Sequence, residues 1–274
     1  MIKTRQNEDK SIMILKAESK LYSEAKLLVL IKNLLCVFLP LFINVVFGKK
    51  SLPYIAVGLV ALFVSFLFDD VIKAKKKRAA QIQQCFDSYV FNIPFNCEGL
   101  TEDNLLEDIV KYSNKKRKKD DKKSFENWYA VTENNYNESK AIKACQRESV
   151  SWDRTLKKYY YWIIIIFYSI FQITITIYFI YDSDSLKLWL CEEILLSSIT
   201  KLFIQNVICI KNSIKEADSI YDEINGNEYD KNIIQSKIYE YRKNSFLIPD
   251  LLHLLCKNKM EKFYNDVNEL ENKH

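Results

Sequence analysis

Residues 188–210 read LWLCEEILLSSITKLFIQNVICI, an apolar run that carries Glu192, Glu193 and Lys201 inside it. A helix rises about 1.5 Å per residue, so this run would extend about 34 Å, against a bilayer hydrocarbon core of about 30 Å. As a helix it is long enough to span. A charged side chain at the centre of such a helix costs roughly 2.5–3.5 kcal/mol, so charges are kept only where they face other helices or water. Glu193, Ser197, Thr200 and Lys201 fall within an arc of about 100° on a helical wheel, and Glu193 and Lys201 stand about 12 Å apart along its axis. They cannot pair with each other within one helix. The stripe, with Glu192 beside it, expects partners on another helix, in another subunit or in water. Two readings stay open: a hydrated pathway inside an oligomer, or glutamates near the outer interface with Lys201 paired structurally.

Three further apolar runs precede this one. Residues 27–47 carry Lys32 near their start, where it can snorkel to an interface, and place Asn33, Val37, Pro40 and Asn44 on one face. A short turn leads to 51–68, where Gly58, Ala61 and Ser65 make a small-residue stripe suited to close helix contact. Residues 159–181 open on a tyrosine cluster and align Ser169, Gln172 and Thr176 on one face, a second polar stripe. Lysine and arginine are concentrated on the side that holds both termini and the central insert, whereas the opposite turns hold Lys49, Lys50 and Lys187. By the positive-inside rule the basic side is cytoplasmic.

The expected fold is therefore all-α: a polytopic membrane protein with four transmembrane helices and a helical cytoplasmic subdomain built from the central insert and the C-terminal tail. Its expected divisions are an amphipathic N-terminal helix over 1–26, a transmembrane hairpin over 27–68, a cytoplasmic insert over 69–158, a second hairpin over 159–210 and C-terminal helices over 211–274, broken at Asn225-Gly226 and Pro249. Residues 1–26 are polar and lysine-rich, so no secretory signal is expected there.

Across 274 residues, 49% apolar composition and a mean hydropathy of −0.16 average two unlike materials: the four runs and the charged segments between them. The net charge of +5 suits an anionic partner without choosing among lipid, nucleotide and nucleic acid. The run from Lys73 to Arg78 follows an apolar run directly and suits anionic lipid; the run KKRKKDDKK at 115–123 is either a solvated loop or a polyanion contact. Seven cysteines form no metal-like spacing, and Cys36, Cys191 and Cys209 lie in apolar runs, so neither a disulfide framework nor a zinc site is expected. Two histidines, four glycines and the absence of phosphate-loop, zinc-protease or nucleophile-elbow patterns argue against an enzyme, a resident cofactor or a catalytic residue. Glu192 and Glu193 do not alter this, because adjacent helical residues point about 100° apart.

Residues able to combine aromatic stacking with charge on phosphate are Trp128, Arg147, Trp152, Arg154, Tyr239 and Arg242. Trp152 and Arg154 stand close enough to the third run to serve as interfacial anchors instead. No nucleic-acid polymer is expected as a partner.

The order of features resembles a known family. Gln6-Asn7, LYSEAK at 21–26, Trp128-Tyr129, CQRESVSWDRTL at 145–156, IQSKIYEYR at 234–242 and IPD at 248–250, set between apolar hairpins, look like the four-transmembrane effectors associated with bacterial nucleotide-second-messenger synthases of antiphage defence. The resemblance implies a multi-pass protein of the bacterial inner membrane with both termini cytoplasmic. It further implies an activating cyclic oligonucleotide, a homo-oligomer, and membrane permeabilisation that ends an abortive infection. Gln6, Trp128, Gln146, Trp152, Asp153, Gln235, Tyr239 and Arg242 match its recurrent positions, which adds Gln146 and Gln235 to the ligand candidates. The pore or interhelix candidates are Gln172, Thr176, Glu192, Glu193, Ser197, Thr200 and Lys201. A scaffold that recruits a cytoplasmic partner, or a small constitutive channel or transporter, are the alternatives.

Overall fold

The computed structural model describes residues 1–47, 52–97, 99–115, 124–130, 137–181 and 186–271, without the side chains of 36–41, 43–47, 52–62, 64, 65, 175, 178–180, 186–198, 261, 265 and 268–271. The described residues form eight helices: α1 (Ile2–Gln6), α2 (Asp9–Phe47), α3 (Leu52–Phe91), α4 (Asp103–Ser113), α5 (Glu138–Tyr181), α6 (Leu186–Asn225), α7 (Lys231–Asn244) and α8 (Asp250–Glu271). The all-α expectation is met. The tail breaks at Gly226 and Pro249, as the turn residues require.

Four helices of 39 to 44 residues give the molecule its length. They pack as two pairs, α2 on α3 and α5 on α6, with α7 touching α3, α5 and α6. Among the described side chains, burial is concentrated at one end of this assembly. There Leu15 and Leu21 of α2, Ile82 and Phe86 of α3, Leu105 and Ile109 of α4 and Ile142 of α5 close one core. A second core joins Val150 of α5, Ala217, Ile220 and Ile224 of α6 and Ile234, Ile238 and Tyr241 of α7. The α7 start is set by Asp230, whose carboxylate accepts from the backbone N–H of Asn232 and Ile233, an N-cap that satisfies two orphan donors.

Towards the other end the same helices turn apolar side chains outward. Leu27, Leu30 and Leu34 on α2, Phe63 and Phe66 on α3, Trp162, Ile166, Phe167, Ile170 and Ile173 on α5, and Ile204 and Ile208 on α6 are all exposed. An exposed apolar surface of this extent marks an interaction surface.

The expectation of a polytopic fold with four transmembrane helices is corrected. Among the described residues, no helix is long and apolar enough to cross a membrane. The described apolar runs are bounded or cut by charge: Lys32 on α2, Asp69 and Asp70 on α3, Lys201 and Lys211 on α6. Lys32 and Asp69 further join α2 to α3 through an ion pair of 2.8 Å.

Parts of the basic runs are turned inward. Lys75 and Lys115 both hold Glu24, at 2.6 and 3.0 Å, and Arg78 holds Asp108 at 2.5 Å. Lys76 donates to the backbone carbonyls of Asn244 and Ser245, tying α3 to the end of α7. Residues 116–123 lie outside the described residues.

Candidate functional site

A buried polar network runs through the first core. Asp87 of α3 is its hub: its carboxylate accepts from Tyr129 at 2.6 Å, from Gln235 at 2.9 Å and from Arg242 at 2.5 Å. Gln235 also donates to Gln84 and accepts from Gln146, which in turn accepts from the hydroxyl of Tyr229 at 2.7 Å. The second guanidinium nitrogen of Arg242 donates to Ser149 at 2.7 Å. Gln6 closes the network as an amide clamp, accepting from the Tyr129 N–H and donating to the Tyr129 carbonyl. Four helices and the 124–130 segment are thus joined by groups that cannot be left unpaired in a dry core. Burial works against the Arg242 charge, yet the Asp87 carboxylate overrides it and keeps the guanidinium protonated.

Beside this network Lys157 is wholly buried, held by Asp153 and by the Tyr241 hydroxyl, which itself donates to Asp153. Burial pulls the Lys157 ammonium below the usual lysine range, and Asp153 opposes it. Arg242 of the first centre and Asp153 and Tyr241 of the second line one cavity.

The cavity measures about 750 Å³, and α2, α3, α5, α7, α8, the 124–130 segment and the 245–248 link all line it. The α5 wall presents Glu148, Ser149, Trp152 and Asp153; α7 presents Tyr241 and Arg242; the 124–130 segment presents Trp128; α8 presents His253, Lys257 and Tyr264; α2 presents Tyr22 and Lys26. Trp152 anchors the rim, with the His253 ring tilted against it at 5.5 Å and the Tyr264 ring stacked on it at 6.1 Å. Trp128 meets Phe86 edge to face at 6.5 Å and keeps part of its ring open. Cations and carboxylates are mixed along the walls, so the cavity is amphoteric rather than uniformly basic. Volumes in this range suit a nucleotide-sized ligand.

Glu148 gives the cavity a titratable group near neutrality. Its carboxylate accepts from the Ala130 N–H at 3.2 Å, and burial pushes its pKa up to about 7 against that hydrogen bond. A carboxyl whose folded value lies above its unfolded value binds protons better in the folded state, so stability is highest in acid and falls as pH rises from about 4.5 to about 7. The expected loss is on the order of 1–2 kcal/mol, because the group is half-buried and water screens it. Urea unfolding at pH 5 and pH 8 reads this slope, and Glu148→Gln is expected to flatten it over that interval.

The sequence candidates divide. Trp128, Trp152 and Arg242 reach the cavity. Gln146 and Gln235 sit behind its wall as network members. Tyr239 is buried on the far side of α7 with Ala80 and Cys97. Arg154 covers the Tyr221 ring at 4.0 Å and bonds Asp218, so it fastens α5 to α6. Arg147 is half-buried and outside the cavity wall.

The α5 and α6 stripes meet each other. Gln172 donates to Tyr168 at 2.6 Å, Tyr168 donates to Thr200 at 2.9 Å, and the Tyr168 ring stacks on Phe203 at 3.7 Å. Thr176 donates to the Gln172 carbonyl, and Lys201 lies 5.6 Å from the Phe66 ring. Glu192, Glu193 and Ser197 lie outside the described side chains.

Sequence reasoning missed Tyr22, Glu148, Tyr241, His253 and Lys257. The spacing of Glu148 to Trp152 and of His253 to Lys257, each i to i+4, puts each pair on one helix face and could have drawn attention to them. Among the described residues no group of His, Cys, Asp and Glu could hold a metal ion.

The family model described as "SMODS-associating 4TM effector domain" matches residues 1–270. The chain belongs to this effector family. Neither the curated proteins nor the solved structures compared with it include a match. In this effector Gln6, Gln146, Gln235 and Arg242 tie together the helices and the 124–130 segment beside the cavity.

Proposed function

We propose that this effector binds a cyclic oligonucleotide in the cavity between α5, α7 and α8 and responds by permeabilising the bacterial inner membrane, ending an abortive infection. The observation that carries the proposal is the cavity itself: about 750 Å³, lined by the Trp128 and Trp152 rings, which suit base stacking, and by the cations Arg242, Lys26 and Lys257, which suit phosphate. The messenger acts by binding the permeabilising state better than the resting one. Binding rather than catalysis is the favoured mode, since Asp87, Asp153, Lys157 and Arg242 are engaged with one another.

The exposed apolar faces of α2, α3, α5 and α6 support contact with the lipid bilayer, and the long exposed face of α5 supports self-association there. With the body and both termini on the cytoplasmic side, the messenger reaches the cavity directly. The test uses purified protein in dye-loaded vesicles of phosphatidylethanolamine and phosphatidylglycerol, challenged with a panel of cyclic di- and trinucleotides. At least one is expected to release dye while linear mononucleotides do not. If no member of the panel releases dye or shifts the unfolding midpoint, the proposal fails.

A further inference from the structure

We propose that α8 lies along the lipid head-group boundary, seating Leu251, Leu254 and Leu255 in the membrane surface while its opposite face closes the cavity. At about 100° per residue, Leu251, Leu255 and Lys259 form one row, with Leu254 beside it, whereas Leu252, Cys256, Met260 and Tyr264 form another. The second row is occupied: Met260 and Tyr264 are buried against Leu156, with Trp152, Leu252 and Cys256 around them. The first is open, its leucines 69%, 64% and 73% exposed. Three adjacent exposed leucines on a helix whose other face is well packed form a patch that needs a partner.

Two contacts locate that patch. Asp250, at the start of α8, is paired with Lys26 at 2.6 Å, and the next residue on α2, Leu27, begins that helix's exposed apolar face. Lys259 lies 5.8 Å from the ring of Tyr159, where the exposed apolar run of α5 begins. Helix α8 is therefore pinned at the polar edge of the apolar surface on two different helices. Because Lys259 belongs to the same row as Leu251 and Leu255, that row faces the edge. The leucines extend the apolar surface sideways, and the exposed Lys259 and Lys262 flank them as expected for a helix lying on anionic lipid.

The consequence is a coupling element. His253, Lys257 and Tyr264 line the cavity from the other side of the same helix, so a ligand and the lipid surface hold one rigid rod between them. This inference rests on membrane contact by the apolar faces, and its test separates the two. A small fluorescent non-natural residue replaces Leu255, Ile166 or Asn232 one at a time in the full chain. Each variant is reconstituted in phosphatidylethanolamine and phosphatidylglycerol vesicles, with and without brominated acyl chains as quencher. Emission is expected to be lost at 255 and at 166 and retained at 232, which is exposed on α7. Quenching at 166 with full emission at 255 overturns the placement of α8 and leaves membrane contact standing. Full emission at both positions overturns both.

Discussion

Replacing Arg242 with alanine is expected to destabilise the helical body by about 3–5 kcal/mol, the cost of stranding a buried carboxylate. Asp87, the partner, is 1% exposed and receives the guanidinium at 2.5 Å. Without it, Asp87 keeps only its neutral donors, Tyr129 and Gln235. The measurement is urea unfolding of the detergent-solubilised protein followed by tryptophan emission. A double change, Asp87→Asn with Arg242→Met, removes both charges and is expected to recover much of the lost stability, since a volume-matched neutral pair can replace a buried ion pair. It should not recover messenger binding, because the cavity then lacks its guanidinium. An Arg242→Ala protein as stable as the wild type would show that the pair carries no net stabilisation.

Replacing Trp152 with alanine is expected to weaken messenger binding by roughly 5–150-fold, the range that corresponds to one lost base–aromatic stack of about 1–3 kcal/mol. The side chain stands where two roles meet, as a rim of the cavity and as the ring against which His253 and Tyr264 pack. Trp152→Phe separates them, because a phenyl ring keeps an aromatic face for a base and fills part of the same space. The Phe variant is expected to retain most of the affinity, read by isothermal titration with the active cyclic nucleotide, and the Ala variant to lose it. Equal affinities for the two variants would assign Trp152 to packing alone. Trp128, on the 124–130 segment and 37% exposed, should show the same order of affinities with a smaller cost in stability.

Some of the fold was legible from residue order alone. The 3.6-residue spacing of apolar positions gives long helices, Asn225-Gly226 ends one of them and Pro249 stands just before the start of α8, because these are local properties of a backbone that needs hydrogen-bond donors and a permissible φ. The polar faces of α5 and α6 were also visible as stripes, since Gln172 and Thr200 each fall on a definable side of a helix. Their contact through Tyr168 was not visible, because the register between two helices depends on how their side chains interdigitate.

The cavity was legible only in part. Trp128, Trp152 and Arg242 stood out as chemistry without a place. Glu148, Tyr241, His253 and Lys257 carry no motif, and they become a site only when α5, α7 and α8 converge. The span assignment does not survive the structure, since among the described residues no helix is long and apolar enough to cross a membrane. Gln146 and Gln235, ligand candidates through the family resemblance, are amides bonded to each other. An unpaired amide in a dry core costs more than any local preference can offset, so its partner is chosen by tertiary packing.

Local periodicity, turn chemistry and family membership are thus properties of the chain read as a line, since each depends on neighbours within a turn or on residue order. Which polar groups satisfy one another, which remain free to meet a ligand, and which leucines of α8 are left facing outward depend on helices far apart in sequence. Burial decides those three questions, and only the packed molecule has it.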